Sequence, residues 1–104
     1  MDANVFLKLI IERVVYLMEP LEIILFGSFA SEKQRVNSDI DLLVVTNELH
    51  KRQQLAKEIT SFISQFGFNS DIILMSKKEL EMELTREKCF LYSALKKSLK
   101  IYEK

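Results

Sequence analysis

The chain has 104 residues, 48% of them hydrophobic and 29% charged, with a net charge of zero. That length suits one small domain with a single core, and that composition excludes a disordered or low-complexity protein. The neutral balance excludes a dedicated nucleic-acid footprint, which would be strongly basic.

The charge is unevenly spread. Residues 1–50 carry eight acids and four bases, whereas residues 51–104 carry seven acids and eleven bases. The mildly basic second half, weighted toward Arg86 and beyond, suits an anionic partner or a nucleotide phosphate. A lone cysteine, Cys89, leaves no intramolecular disulfide, and beside Phe90 in a helical pattern it reads as core. No secretory signal is evident, and no apolar run nears the ~18 residues of a membrane span, so the expected compartment is the cytoplasm without membrane contact.

Residues 3–18 read as a helix, with Phe6, Leu9, Ile10, Val14 and Leu17 at spacings of three and four. Leu7, Ile11, Val15 and Met18 widen that stripe beyond one face, so the helix either packs deeply on a sheet or also meets a partner subunit. Pro20 ends it, because the residue before proline resists helical angles. Glu22–Phe26 reads as a strand, and Gly27 then allows close approach of backbone to a ligand at a sharp turn. Ser28–Glu32 is expected to form a short helical turn whose N–H groups aim at the Gly27–Ser28 corner and bind an anion there. Lys33 and Arg35 share that loop, as phosphate contacts or as solvated charges.

The second strand, Asp39–Thr46, is nearly all apolar after Asp41, as in a strand covered on both faces. Asn47 is the expected N-cap of a helix over about residues 48–66. Leu55, Ile59, Phe62, Ile63 and Phe66 form its stripe, and Gly67 its stop. His50, the only histidine, has no second His or Cys nearby and reads as a surface residue. Phe68–Met75 reads as a third strand, and Asp71 entering it needs a partner or a task. Ser76 and Glu79 make a capping box opening a helix through Leu84. A further helix over residues 86–97 presents Phe90, Leu91, Ala94 and Leu95, and Leu99–Tyr102 alternates as a short edge strand. There are no repeats or linkers.

Asp39 and Asp41 are two residues apart at the mouth of the second strand, so the pleat sends both carboxylates to one face. Like charges that close repel, and one pKa rises unless a cation sits between them. The pair therefore implies a divalent metal, and Mg²⁺, which prefers carboxylates plus substrate phosphates, suits it. Asp71 adds a third carboxylate that can accept a proton from an attacking hydroxyl or bind a second metal. Such a set supports in-line phosphoryl or nucleotidyl transfer. An isolated Asp-x-Asp would favour a strand-end turn or a salt-bridge site; the strand–Gly-Ser–loop unit ahead of this one favours the metal.

Gly27-Ser28, ten intervening residues and then Asp39-Ile40-Asp41 resemble the signature of the DNA polymerase β-like nucleotidyltransferase superfamily. The short length resembles its minimal nucleotidyltransferase (MNT) branch. The resemblance implies an α/β (α+β) fold, a mixed three- to four-stranded sheet flanked by helices, as one domain over residues 1–104. It implies that Gly27 and Ser28 contact the nucleotide triphosphate, that Asp39 and Asp41 hold Mg²⁺, and that Asp71 is the third carboxylate, activating the acceptor hydroxyl. Minimal members are typically encoded beside a small helical HEPN-type protein. The implied function is that of an antitoxin transferring AMP from ATP to a tyrosine of its HEPN toxin, a ribonuclease. A chain this short is expected to hold no acceptor-binding domain, so a partner protein delivers the acceptor and any oligomer forms through it. Two alternatives stay open: an antitoxin that neutralises by binding alone, and transfer to a small molecule such as an aminoglycoside. One departure marks the loop. After Ala30, where many members have a basic residue and then glycine, this chain has Ser31 and Glu32, which removes a positive charge facing the triphosphate and adds an acid.

Overall fold

Helix α1 (Ala3–Met18) follows its apolar spacing: Phe6, Ile10, Val14 and Met18 recur every fourth residue and are all buried. The computed structural model describes residues 3–26, 39–47, 50–85, 95 and 98–104. Glu19, unable to continue the helix into Pro20, turns to φ +42° while its N–H still bonds the Val15 carbonyl at 3.2 Å.

Strands β1 (Glu22–Phe26), β2 (Ile40–Val45), β3 (Ser70–Met75) and β4 (Leu99–Glu103) form one mixed sheet in the order β3-β2-β1-β4. Strand β1 runs antiparallel to β2 and β4, whereas β2 and β3 are parallel. Helix α2 (Arg52–Ser64) makes the crossover that a parallel pair requires. β1 and β2 are central and read apolar almost throughout; β4 lies on an edge, as its alternation predicts.

The pleat divides the core in two. On one face Ile23, Leu25, Ile40, Leu42, Val44 and Leu74 pack under α1 and the Ile59–Ile63 stripe of α2. At one end of that layer Phe6 stacks on Phe68 with centroids 4.8 Å apart and tilts against Phe66 at 5.0 Å. The width of the α1 stripe is largely explained here, since Leu7, Ile11 and Leu17 also pack against this cluster. On the other face Ile24, Phe26, Leu43 and Val45 meet Leu80 of helix α3 (Lys77–Leu84), with Ile73, Met75 and Leu95 partly buried against them.

The capping box at Ser76 forms as expected: Glu79 N–H donates to Ser76 Oγ, and Ser76 N–H donates to Glu79 Oε1, both at 3.0 Å. Arg52, opening α2, donates to both oxygens of the same carboxylate at 3.2 and 3.4 Å, tying the starts of α2 and α3 together. Gly67 takes φ +86° just past α2, as a stop residue should.

Asn47 does not cap α2. The helix starts later, with Lys51 at the cap position in the left-handed region and no side-chain cap bond. Thr46 N–H still bonds the Met75 carbonyl at 2.8 Å, so the chain is held to the sheet up to residue 46 and turns into the helix only where Leu55 can reach the core. His50 is exposed. The Gly27–Ser28 corner, the Ser28–Glu32 turn, Lys33, Arg35, Cys89 and, apart from Leu95, the helix over residues 86–97 lie outside the described residues. Among the described residues no helix is long and apolar enough to cross a membrane.

Candidate active site

The parallel ladder between β2 and β3 places Asp41 directly opposite Asp71. Neighbouring strands lie about 4.8 Å apart and opposed side chains share a face, so these two carboxylates are neighbours. Asp39, two residues before Asp41, projects to the same side. On its other flank Asp41 faces Phe26, the last residue of β1, whose side chain is 4% exposed. Ile40, between the two acids, points the other way and is wholly buried beneath the helices, and its N–H bonds the Asn69 carbonyl at 2.9 Å. The acids are thus mounted on strand ends whose opposite face is anchored in the core.

The electrostatics follow from this placement. Asp41 is held above its ordinary carboxylate pKa, first by burial, then by the negative charge of Asp71, then by that of Asp39. The Asp39–Asp41 spacing in the sequence led to the expectation of a raised pKa; the structure gives burial and the cross-strand neighbour the larger shares. Phe26, beside Asp41, contributes an apolar flank that sequence reasoning missed. No local sequence signal fixes the β1–β2 register, so that pairing was not legible.

The donors suit a hard divalent cation, since all three are carboxylates on one face of the sheet. Among the described residues no three acidic, histidine or cysteine groups close around one point. The set therefore fits Mg²⁺ held by one or two carboxylates, with phosphate oxygens and water completing the shell, better than a dedicated protein cage. Asp39 and Asp41 are the residues that would hold it, with Asp71 at their side.

Residues 7–101 match the family described as nucleotidyltransferase domain. The chain belongs to that family. The nucleotidyltransferase domain is also similar to a protein of Methanocaldococcus jannaschii named "Putative protein adenylyltransferase MJ1305", with 35% identity over 68 residues. The match covers 61% of this chain and 46% of the archaeal protein, so it spans less than half of that relative's length. No solved structure matches the chain. The mixed four-stranded sheet flanked by helices agrees with a nucleotidyltransferase fold.

Proposed function

We propose that this nucleotidyltransferase domain transfers AMP from ATP to a hydroxyl of a protein acceptor. The observation that carries the proposal is the row Phe26–Asp41–Asp71 across three strands, with Asp39 on the same side, in a chain of this family. The name of the archaeal relative supports a nucleotide acceptor that is a protein. Asp39 and Asp41 hold the cation and orient the triphosphate. Bound Mg²⁺ supplies charge neutralisation at the phosphates and the departing pyrophosphate. Asp71 takes the proton of the incoming hydroxyl, and the Gly27–Ser28 corner is assigned to the triphosphate. The acceptor we favour is a tyrosine of a HEPN-type toxin encoded next to this chain, which makes the domain the antitoxin of the pair in the cytoplasm. The reading of an antitoxin that binds without transferring has one observation in its favour, the acid Glu32 where the resemblance implies a neutral glycine.

Intact mass spectrometry of the neighbouring HEPN-type protein after incubation with the domain, ATP and Mg²⁺ tests this. The expected result is a gain of AMP mass with the wild type and none with Asp39→Ala or Asp41→Ala. No gain with the wild type sinks the transfer reading, and equal gain with both variants sinks the site. Neutralisation of the toxin that survives both substitutions selects binding alone.

A further inference from the structure

We infer that the outer edge of β3 is the docking strand for the acceptor: an extended peptide segment pairs with it and sets a hydroxyl side chain opposite Asp71. The inference rests on the transfer reading above and adds to it the shape and chemistry of the acceptor.

The hydrogen-bond parity of β3 is on the page. Ile40 N–H donates to the Asn69 carbonyl at 2.9 Å and Thr46 N–H to the Met75 carbonyl at 2.8 Å, at the two ends of a regular parallel register. The odd-numbered residues of β3 therefore turn their backbone groups toward β2, and Ser70, Ile72 and Leu74 turn theirs away from the sheet. Among the described residues strand β3 ends the sheet on that side, and these outward groups meet no backbone partner.

The two edges of the sheet are treated differently. On the far edge β4 joins β1 through an irregular register and carries Lys100, paired with Glu22 at 2.7 Å and Glu103 at 3.6 Å. A bulge and charged residues are the devices that keep an edge from recruiting another strand. Strand β3 has no bulge and no basic residue: its sequence is Ser-Asp-Ile-Ile-Leu-Met, it contains no lysine or proline, and it pairs without interruption from Ser70 to Met75. Its one charge is the exposed Asp71. An unblunted edge of this length is a template for strand addition.

Backbone pairing selects an extended peptide, and strand alternation then fixes what it carries. The residue opposite Asp71 lies on the carboxylate face, its Cβ about 4.5–5.5 Å from that of Asp71. Its two neighbours fall on the other face, beside Ser70 and the partly buried Ile72. The segment recognised is a hydroxyl residue with an apolar neighbour on the Ile72 side. In the transfer its hydroxyl oxygen bonds to the α-phosphorus of ATP, and the bond from that phosphorus to the bridging oxygen breaks. The electron pair leaves with pyrophosphate and the hydroxyl proton passes to Asp71. A second copy pairing through this edge would bring two Asp71 carboxylates onto it, and like charges oppose that arrangement.

The test uses the full chain with ATP, Mg²⁺ and a panel of synthetic peptides of about eight residues, each with one Ser, Thr or Tyr between valines. Each peptide is also made with its amides N-methylated at one or the other alternate set of positions. Expected are AMP-labelled peptides whose labelling falls about tenfold or more with one methylated set and is unchanged with the other, since several backbone bonds are lost together. Expected too is amide-exchange protection gained at Ser70, Ile72 and Leu74 on peptide addition. Equal sensitivity to both methylated sets overturns the edge, as does labelling without protection on β3 or protection of β3 by self-association in the absence of peptide. If no peptide is labelled while pyrophosphate is still released from ATP, edge docking is wrong and the transfer reading survives. If neither is seen while the neighbouring HEPN-type protein gains AMP mass, edge docking of a peptide is wrong and the transfer reading survives. If that protein gains none either, both fall.

Discussion

Replacing Asp41 with asparagine is expected to stabilise the fold while disabling the site. Asp41 stands opposite Asp71, two residues from Asp39 and beside Phe26, and burial first, then the charges of Asp71 and Asp39, hold its pKa above the ordinary 3.8. The folded state thus binds its proton more tightly than the unfolded chain does. Stability is then lost as pH rises from the ordinary value through the raised one, and at neutral pH the full penalty applies. Two unit charges on strands about 4.8 Å apart repel by about 1 kcal/mol where water screens them. Asp39 and Asp71 are exposed, so the lower end of the range applies. Asp41→Asn should therefore gain about 1–2 kcal/mol at pH 7, each kcal/mol raising Tm by about 4–8 °C in a domain of this size. Thermal unfolding of both proteins between pH 3 and pH 8 is the assay. The advantage of the variant should vanish toward pH 3, where wild-type Asp41 is protonated in both states. Added Mg²⁺ should raise the Tm of the wild type more than that of the variant, by linkage. A variant less stable than the wild type at pH 7, or an advantage that does not shrink on acidification, refutes the reasoning.

Four further outcomes are expected. Ile59→Ala, at a wholly buried position under the sheet, should lose about 2–5 kcal/mol by denaturant unfolding with little change in slope, because the cavity cannot collapse between α1 and the sheet. Ser76→Ala removes the hydroxyl that caps α3 and should lose about 1 kcal/mol. Glu79, whose pKa is lowered first by the Ser76 N–H and then by Arg52, gives stability that is present above its ordinary 4.5 and lost as pH falls through the lowered value, so Glu79→Gln should flatten the acid limb of the stability profile. Gly67→Ala meets no atom within 4 Å, so only the φ of +86° opposes it; a loss of about 1 kcal/mol is expected, smaller for Gly67→Asn.

Much of the fold was legible because its signals are local. The four-residue recurrence in α1, the stripe of α2 and the Ser76–Glu79 box each depend on neighbours along the chain, and each appears where the sequence puts it. The start of α2 was not legible, because Asn47 is a sound cap by type, yet sheet hydrogen bonding holds the chain through Thr46 and Lys51 takes the cap position. In the candidate site, the common face of Asp39 and Asp41 follows from the pleat alone.

The sequence by itself determined the candidate site: three carboxylates, two of them on one strand, in an apolar α/β chain of nucleotidyltransferase type. Only the tertiary structure decided that Asp71 stands opposite Asp41, that Phe26 flanks it, and that β3 forms an edge. Strand register is set by distant burial. Ile40, Leu42, Val44, Ile72 and Leu74 must all face the helices, and a slip of one residue would turn Asp71 into the core. That demand comes from residues far apart in the chain, which is why the cross-strand acid pair could not be read from the spacing of either strand alone.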